Sequence, residues 1–93
     1  MTGPMLTELE IRRKQALFRA QRRGFRELDL IFGAFADAHL ARLEGDELAA
    51  FEDLLSVPDW RIYGWILGEE PTPPQHDTPV FAQLCAYRAN LEM

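Results

Sequence analysis

Arg22-Arg23-Gly24-Phe25-Arg26-Glu27 gathers four charged side chains and a phenylalanine around one glycine. A plain helix–helix turn needs the glycine, which enters the left-handed region without a side-chain clash. It does not need the charges. Exposed arginine beside an aromatic ring is a mixture enriched where proteins grip other proteins. Glu27 at the opening of a helix is favoured by the helix dipole, and the arginines beside it can donate charge-assisted bonds to a partner's acids or backbone carbonyls. The chemistry on offer is recognition, with Arg23, Phe25 and Glu27 expected at the surface.

Other reactive side chains offer less. His39 and His76 have no cysteine or carboxylate at ligand spacing, so no metal is expected and both are read as ordinary residues. Cys85 falls on an apolar face with Arg88 as its one basic neighbour within a helical turn, and is read as core. Trp60, Tyr63 and Trp65 could stack on nucleotides, but at helical spacing they read as core too. The pairs Glu52-Asp53 and Glu69-Glu70 read as solvated surface. No nucleophile–base pair or phosphate-cradling glycine loop is present, so the chain is not expected to be an enzyme.

The elements that must hold these residues read as helices. Thr7 followed by Glu10 has the form of a capping box, opening a first helix whose stripe is Leu9, the Arg13 stem, Ala16, Leu17 and Ala20, and which ends near Arg22. After the Gly24 corner, residues 27–43 present Leu28, Ile31, Phe32, Phe35, Ala36, Leu40 and Leu43 over so wide an arc that this helix belongs at the centre of a bundle. A short helix carries Leu48, Phe51, Leu54 and Leu55. A fourth begins at Val57-Pro58-Asp59 and closes at Gly68. Residues 69–78 hold three prolines and read as an exposed loop. Thr78-Pro79 then starts a fifth helix running through Leu84 to Leu91. The expected fold is all-α, a single five-helix bundle over residues 1–93, with residues 1–6 a loose terminus.

Ninety-three residues leave a core too small to enclose both a cofactor pocket and a substrate pocket comfortably. The net charge of −5 hides an asymmetry: residues 1–26 carry seven basic side chains against two acidic, or +5, and residues 27–93 carry three against thirteen, or −10. Such a division points to a partner at one end. A single cysteine excludes an internal disulfide. No apolar run reaches the length of a bilayer span, and the first ten residues lack the plan of a signal peptide, so membrane insertion is not expected and a bacterial cytoplasmic protein is.

RRGFRELDLIFGAF (residues 22–35), PDWRIYGW (58–65) and EEPTPPQHDTP (69–79) together resemble the succinate dehydrogenase assembly factor family, called SdhE in bacteria. Its R-G-x-x-E hallmark stands here as Arg23, Gly24 and Glu27, and the likeness runs from about Arg13 to Leu91. The resemblance implies a helical factor that binds the flavoprotein subunit of succinate dehydrogenase or fumarate reductase and promotes covalent attachment of FAD to a histidine of that partner. It places Arg23, Gly24 and Glu27 on the contact surface, with Phe25 and Arg26 between them and Arg19 beside them. FAD belongs to the partner, no cofactor is held by the chain itself, and a monomer is expected. The chain departs from the family's pattern at Trp60-Arg61.

Two other functions compete. A nucleic-acid-binding regulator would use the basic first helix, although the −10 of the remaining chain would repel a polyanion. A flavin transferase acting alone would need chemical groups that the sequence does not supply.

Overall fold

In the computed structural model, which describes residues 7–88, the chain forms five α-helices: α1 (Glu8–Ala20), α2 (Arg26–His39), α3 (Gly45–Leu55), α4 (Asp59–Ile66) and α5 (Pro79–Cys85). No strand occurs among the described residues. Thr7 opens α1 with the expected reciprocal box, its N–H donating to Glu10 Oε1 at 3.0 Å and its Oγ1 accepting from the Glu10 N–H at 3.1 Å. The Thr7 N–H, and to a lesser degree the Thr7 side chain, hold the Glu10 carboxyl below its usual range. Thr78 caps α5 through its hydroxyl alone, Oγ1 accepting from the Phe81 N–H at 3.2 Å, with Pro79 at the first helical position, where a missing N–H costs nothing. The end of α4 follows from Gly68, whose φ of +75° lets its own N–H reach the Trp65 carbonyl and that of Glu69 reach the Gly64 carbonyl, the double closure of a Schellman motif.

Buried side chains from all five helices form one cluster. α2 sits at its centre, as its wide apolar arc predicts, burying Leu28, Ile31, Phe32, Phe35 and Ala36 and packing against α1 and α5. Phe51 of α3 meets Phe32 at 5.9 Å and Phe35 at 5.1 Å between ring centroids. α1 contributes only Ala16 and Ala20 to the fully buried set, with Leu9 and Leu17 packed at its edge.

Three expectations are corrected here. The second helix does not run unbroken to Leu43: α2 stops at His39, and Leu40–Arg42 form a 3-10 turn. No proline or glycine marks this break in the sequence. It is held by tertiary contacts, His39 Nε2 lying 3.0 Å from Tyr87 Oη and Arg13 Nε donating to the Leu43 carbonyl at 2.9 Å, while the His39 ring stacks on Phe35 one turn back in the same helix at 4.8 Å. The proline-rich loop is not simply exposed either. Pro74–His76 form a 3-10 turn that stacks the His76 ring on Trp65 at 5.4 Å, leaving Thr72, Pro73 and Thr78 half-buried. Trp60 is not core: it is 69% exposed, with the Arg61 guanidinium 5.0 Å over its ring. The expectations for residues 1–6 and for Leu91 lie outside the described residues. Among the described residues no helix is long and apolar enough to cross a membrane.

Candidate functional site

The corner between α1 and α2 is built by Gly24 and Asp29. Gly24 has φ +82°, and a side chain built on it would meet nothing within 4 Å, so the position selects glycine for its backbone conformation rather than for space. Asp29 reaches back from the first turns of α2 to accept the Arg23 N–H at 2.6 Å. Phe25 enters α2 in extended conformation, and its ring meets Tyr63 of α4 edge-on at 4.9 Å. Arg26 is exposed. Glu27 is half-buried in the first turn, where the dipole favours its charge, and its carboxylate makes no hydrogen bond or ion pair among the described residues.

Arg23 overturns the expectation of a surface group. Its side chain is only 6% exposed. Nη1 donates to the Leu55 carbonyl at 2.5 Å, Nη2 donates to the Val57 carbonyl at 2.7 Å, and Nη2 lies 2.7 Å from Asp59 Oδ1. The guanidinium carbon sits 4.7 Å from the centre of the Phe32 ring. Leu55 is the last residue of α3, so its carbonyl belongs to the group left without an intrahelical partner at a helix end, and a cation there also meets the negative end of the dipole. Asp59 is the first residue of α4, where an anion is favoured. One guanidinium therefore joins the end of α3, the Ser56–Pro58 link and the start of α4, and fixes the corner against them. Nε is left buried without a partner. Phe25 is corrected in the same sense, being half-buried against Tyr63 rather than free.

The outer surface of the corner consists of Arg19, Arg22, Gly24 and Arg26, with Glu27 at its edge. Arg19 Nη2 donates to Ser56 Oγ at 3.1 Å, and the Arg22 guanidinium lies 4.0 Å over the Phe18 ring. Phe18, 57% exposed, was missed from the sequence, as was the exposure of Trp60. Helical periodicity carries the signal for both. Phe18 falls off the stripe of Ala16 and Ala20, and Trp60 off that of Ile62, Trp65 and Ile66.

Glu52, read as solvated, instead pairs bidentately with Arg12, Nε to Oε2 at 3.1 Å and Nη2 to Oε1 at 2.5 Å. The hydrogen bonds from Arg12 hold the Glu52 carboxyl below its usual range. With Arg13 on the Leu43 carbonyl and Arg23 inside, three of the seven basic groups before residue 27 are committed within the fold. Burial pushes the half-buried Cys85 thiol up, against a weaker opposing pull from Arg88. No group of three or more metal-ligating side chains is assembled among the described residues.

The family model Sdh5, described as flavinator of succinate dehydrogenase, matches residues 14–88. Among similar proteins, succinate dehydrogenase assembly factor 2, mitochondrial, of Drosophila grimshawi is 35% identical over 86 residues, covering 90% of this chain and 58% of that protein. Assembly factor 2-A of Drosophila mojavensis and 2-B of Drosophila persimilis, both also named mitochondrial, are each 34% identical, covering 90% of this chain and 55% of theirs. The chain thus spans somewhat more than half the length of these relatives. The expectation of a bacterial cytoplasmic protein is corrected by them, since all three are mitochondrial by name; it rested on the lack of an apolar run of bilayer length and of a signal-peptide plan in the first ten residues. The matched stretch takes in the glycine corner, the buried Arg23 bridge and the aromatic fourth helix, and the chain belongs to the Sdh5 family, flavinator of succinate dehydrogenase.

Proposed function

We propose that this chain binds the flavoprotein subunit of succinate dehydrogenase, or of fumarate reductase, and promotes the covalent attachment of FAD to a histidine of that subunit. The observation that carries this reading is the match of residues 14–88 to a family described as a flavinator. The R-G-x-x-E corner supplies the surface, with two of its members in different roles. Arg23 braces the corner from inside, and Glu27 with Arg26 and Arg19 faces outward, where charge-assisted bonds to the partner form at little reorganisation cost because the backbone beneath them is held.

The chain does no bond-making itself in this reading. Holding one conformation of the flavoprotein keeps the histidine close to the flavin ring, and positioning of this kind is catalysis open to a protein without an active site. FAD is carried by the partner. The nucleic-acid alternative is weakened by the commitment of Arg12, Arg13 and Arg23 to contacts within the fold.

The test is co-expression of the flavoprotein subunit with and without this chain, followed by flavin fluorescence of the denatured subunit. Co-purification and a rise in covalent flavin with the chain present are expected. Equal flavinylation in its absence, or no association, would overturn the proposal.

A further inference from the structure

Between the end of α1 and the α3–α4 link lies an open cleft of about 390 Å³. Phe18, Arg19 and Arg22 line it from the α1 side, and Val57 and Pro58 from the link. The Arg23–Asp59 ion pair also lines it; its charges match each other, and the two Nη atoms of the guanidinium are already held by the Leu55 and Val57 carbonyls. The field inside the cleft therefore comes from Arg19 and Arg22. Glu52, whose charge Arg19 feels, is itself already matched by Arg12.

Phe18 has no packing role that would explain a phenylalanine at a position 57% exposed. Its ring is held in place by the Arg22 guanidinium at 4.0 Å, so an aromatic face and a cation are presented as a unit. Such a surface fits an apolar side chain flanked by carboxylates. The charge division of the chain supports the same occupant: residues 27–93 carry −10 and repel acids, so an acidic segment is accepted only on the α1 side, which carries +5.

Resting on the proposed function, we infer that this cleft receives an acidic segment of the flavoprotein subunit, inserting one apolar side chain between Phe18 and Pro58 with its flanking carboxylates on Arg19 and Arg22. The cleft adjoins the corner through Arg22 and Arg23, so both belong to one continuous contact surface.

The test measures binding of the purified flavoprotein subunit to the wild-type chain and to its Phe18→Ala and Arg22→Glu variants, with melting temperature as the folding control. Both side chains are exposed, so the variants should melt close to the wild type. Each should bind about thirtyfold more weakly or worse, the loss typical of a hot-spot residue. A photo-crosslinking Phe18→p-benzoylphenylalanine chain should capture a flavoprotein segment rich in Asp and Glu. If the wild type binds and both variants match it within twofold, or if the captured segment carries no carboxylate, the cleft assignment falls while the proposed function stands. If the wild type does not bind the subunit, both fall together. Tight binding of a fluorescent DNA duplex that is lost with Arg22→Glu would overturn the peptide assignment in favour of nucleic acid.

Discussion

Replacing Arg23 by alanine removes the donor from the Leu55 and Val57 carbonyls and the counter-charge from Asp59. Breaking a buried charged contact from one side costs about 3–5 kcal/mol. Asp59 is 31% exposed and regains water once its partner is gone, and water can reach the freed carbonyls through the open cleft above them. That places the expected loss nearer 2–3 kcal/mol, a large share of the roughly 5–15 kcal/mol that holds a small domain together. At about 4–8 °C per kcal/mol, the melting temperature should fall by roughly 10–20 °C. Thermal and urea unfolding followed by circular dichroism measure this directly. Arg22→Ala, at an exposed neighbouring position, should stay within about 0.5 kcal/mol of the wild type. Arg23→Lys should fall between the two, because a single ammonium cannot fork across two carbonyls and a carboxylate as a guanidinium does. A double-mutant cycle with Asp59→Asn isolates the ion pair from the carbonyl bonds. If Arg23→Ala melts within a degree or two of Arg22→Ala, the bridge holds nothing, and Arg23 is the surface contact that its sequence context suggests.

Gly24→Arg should cost about 1–2 kcal/mol of stability from the left-handed backbone, since nothing crowds the site, while abolishing capture of the flavoprotein in a pull-down. Glu27→Gln should leave the melting curve nearly unchanged and weaken the flavoprotein complex by about 2–5 kcal/mol in calorimetry, if the carboxylate is desolvated on binding. The Arg12–Glu52 pair should show in the pH dependence of stability. Because the folded-state pKa of Glu52 is lowered by Arg12, the pair's contribution is full above the carboxyl's ordinary value of 4.5 and is lost as pH falls through the lower folded value. The stability difference between wild type and Glu52→Gln should therefore shrink below that pH. Trp65→Ala should cost about 3–5 kcal/mol, whereas Trp60→Ala, at the exposed position, should cost well under 1 kcal/mol; equal losses in urea denaturation would contradict the assigned burial.

Local patterns in the sequence were enough to locate most helices. The Thr7 and Thr78 caps, the Gly24 and Gly68 corners and the central place of α2 all follow from short-range chemistry: a side chain reaching its own helix end, a glycine adopting positive φ, an apolar arc too wide for one face. The end of α2 was not legible, because His39 is held by Tyr87, 48 residues further along, and no breaker stands nearby. Neither was the docking of the proline-rich loop, which depends on Trp65 meeting His76.

At the corner, residue types alone established that a turn carries charge and an aromatic ring, and the spacing of Arg23, Gly24 and Glu27 pointed to the family. Which arginine faces outward was decided only in three dimensions. Arg22 and Arg23 are adjacent and chemically identical, yet one lies over the exposed Phe18 and the other is buried beneath the corner. The acceptors that draw Arg23 inward, the carbonyls of Leu55 and Val57, stand 32 and 34 residues further along the chain. No local pattern records them, because a backbone carbonyl is the same at every residue, and only the tertiary fold, which packs α3 against α1 and α5, brings these two to where a guanidinium can reach both.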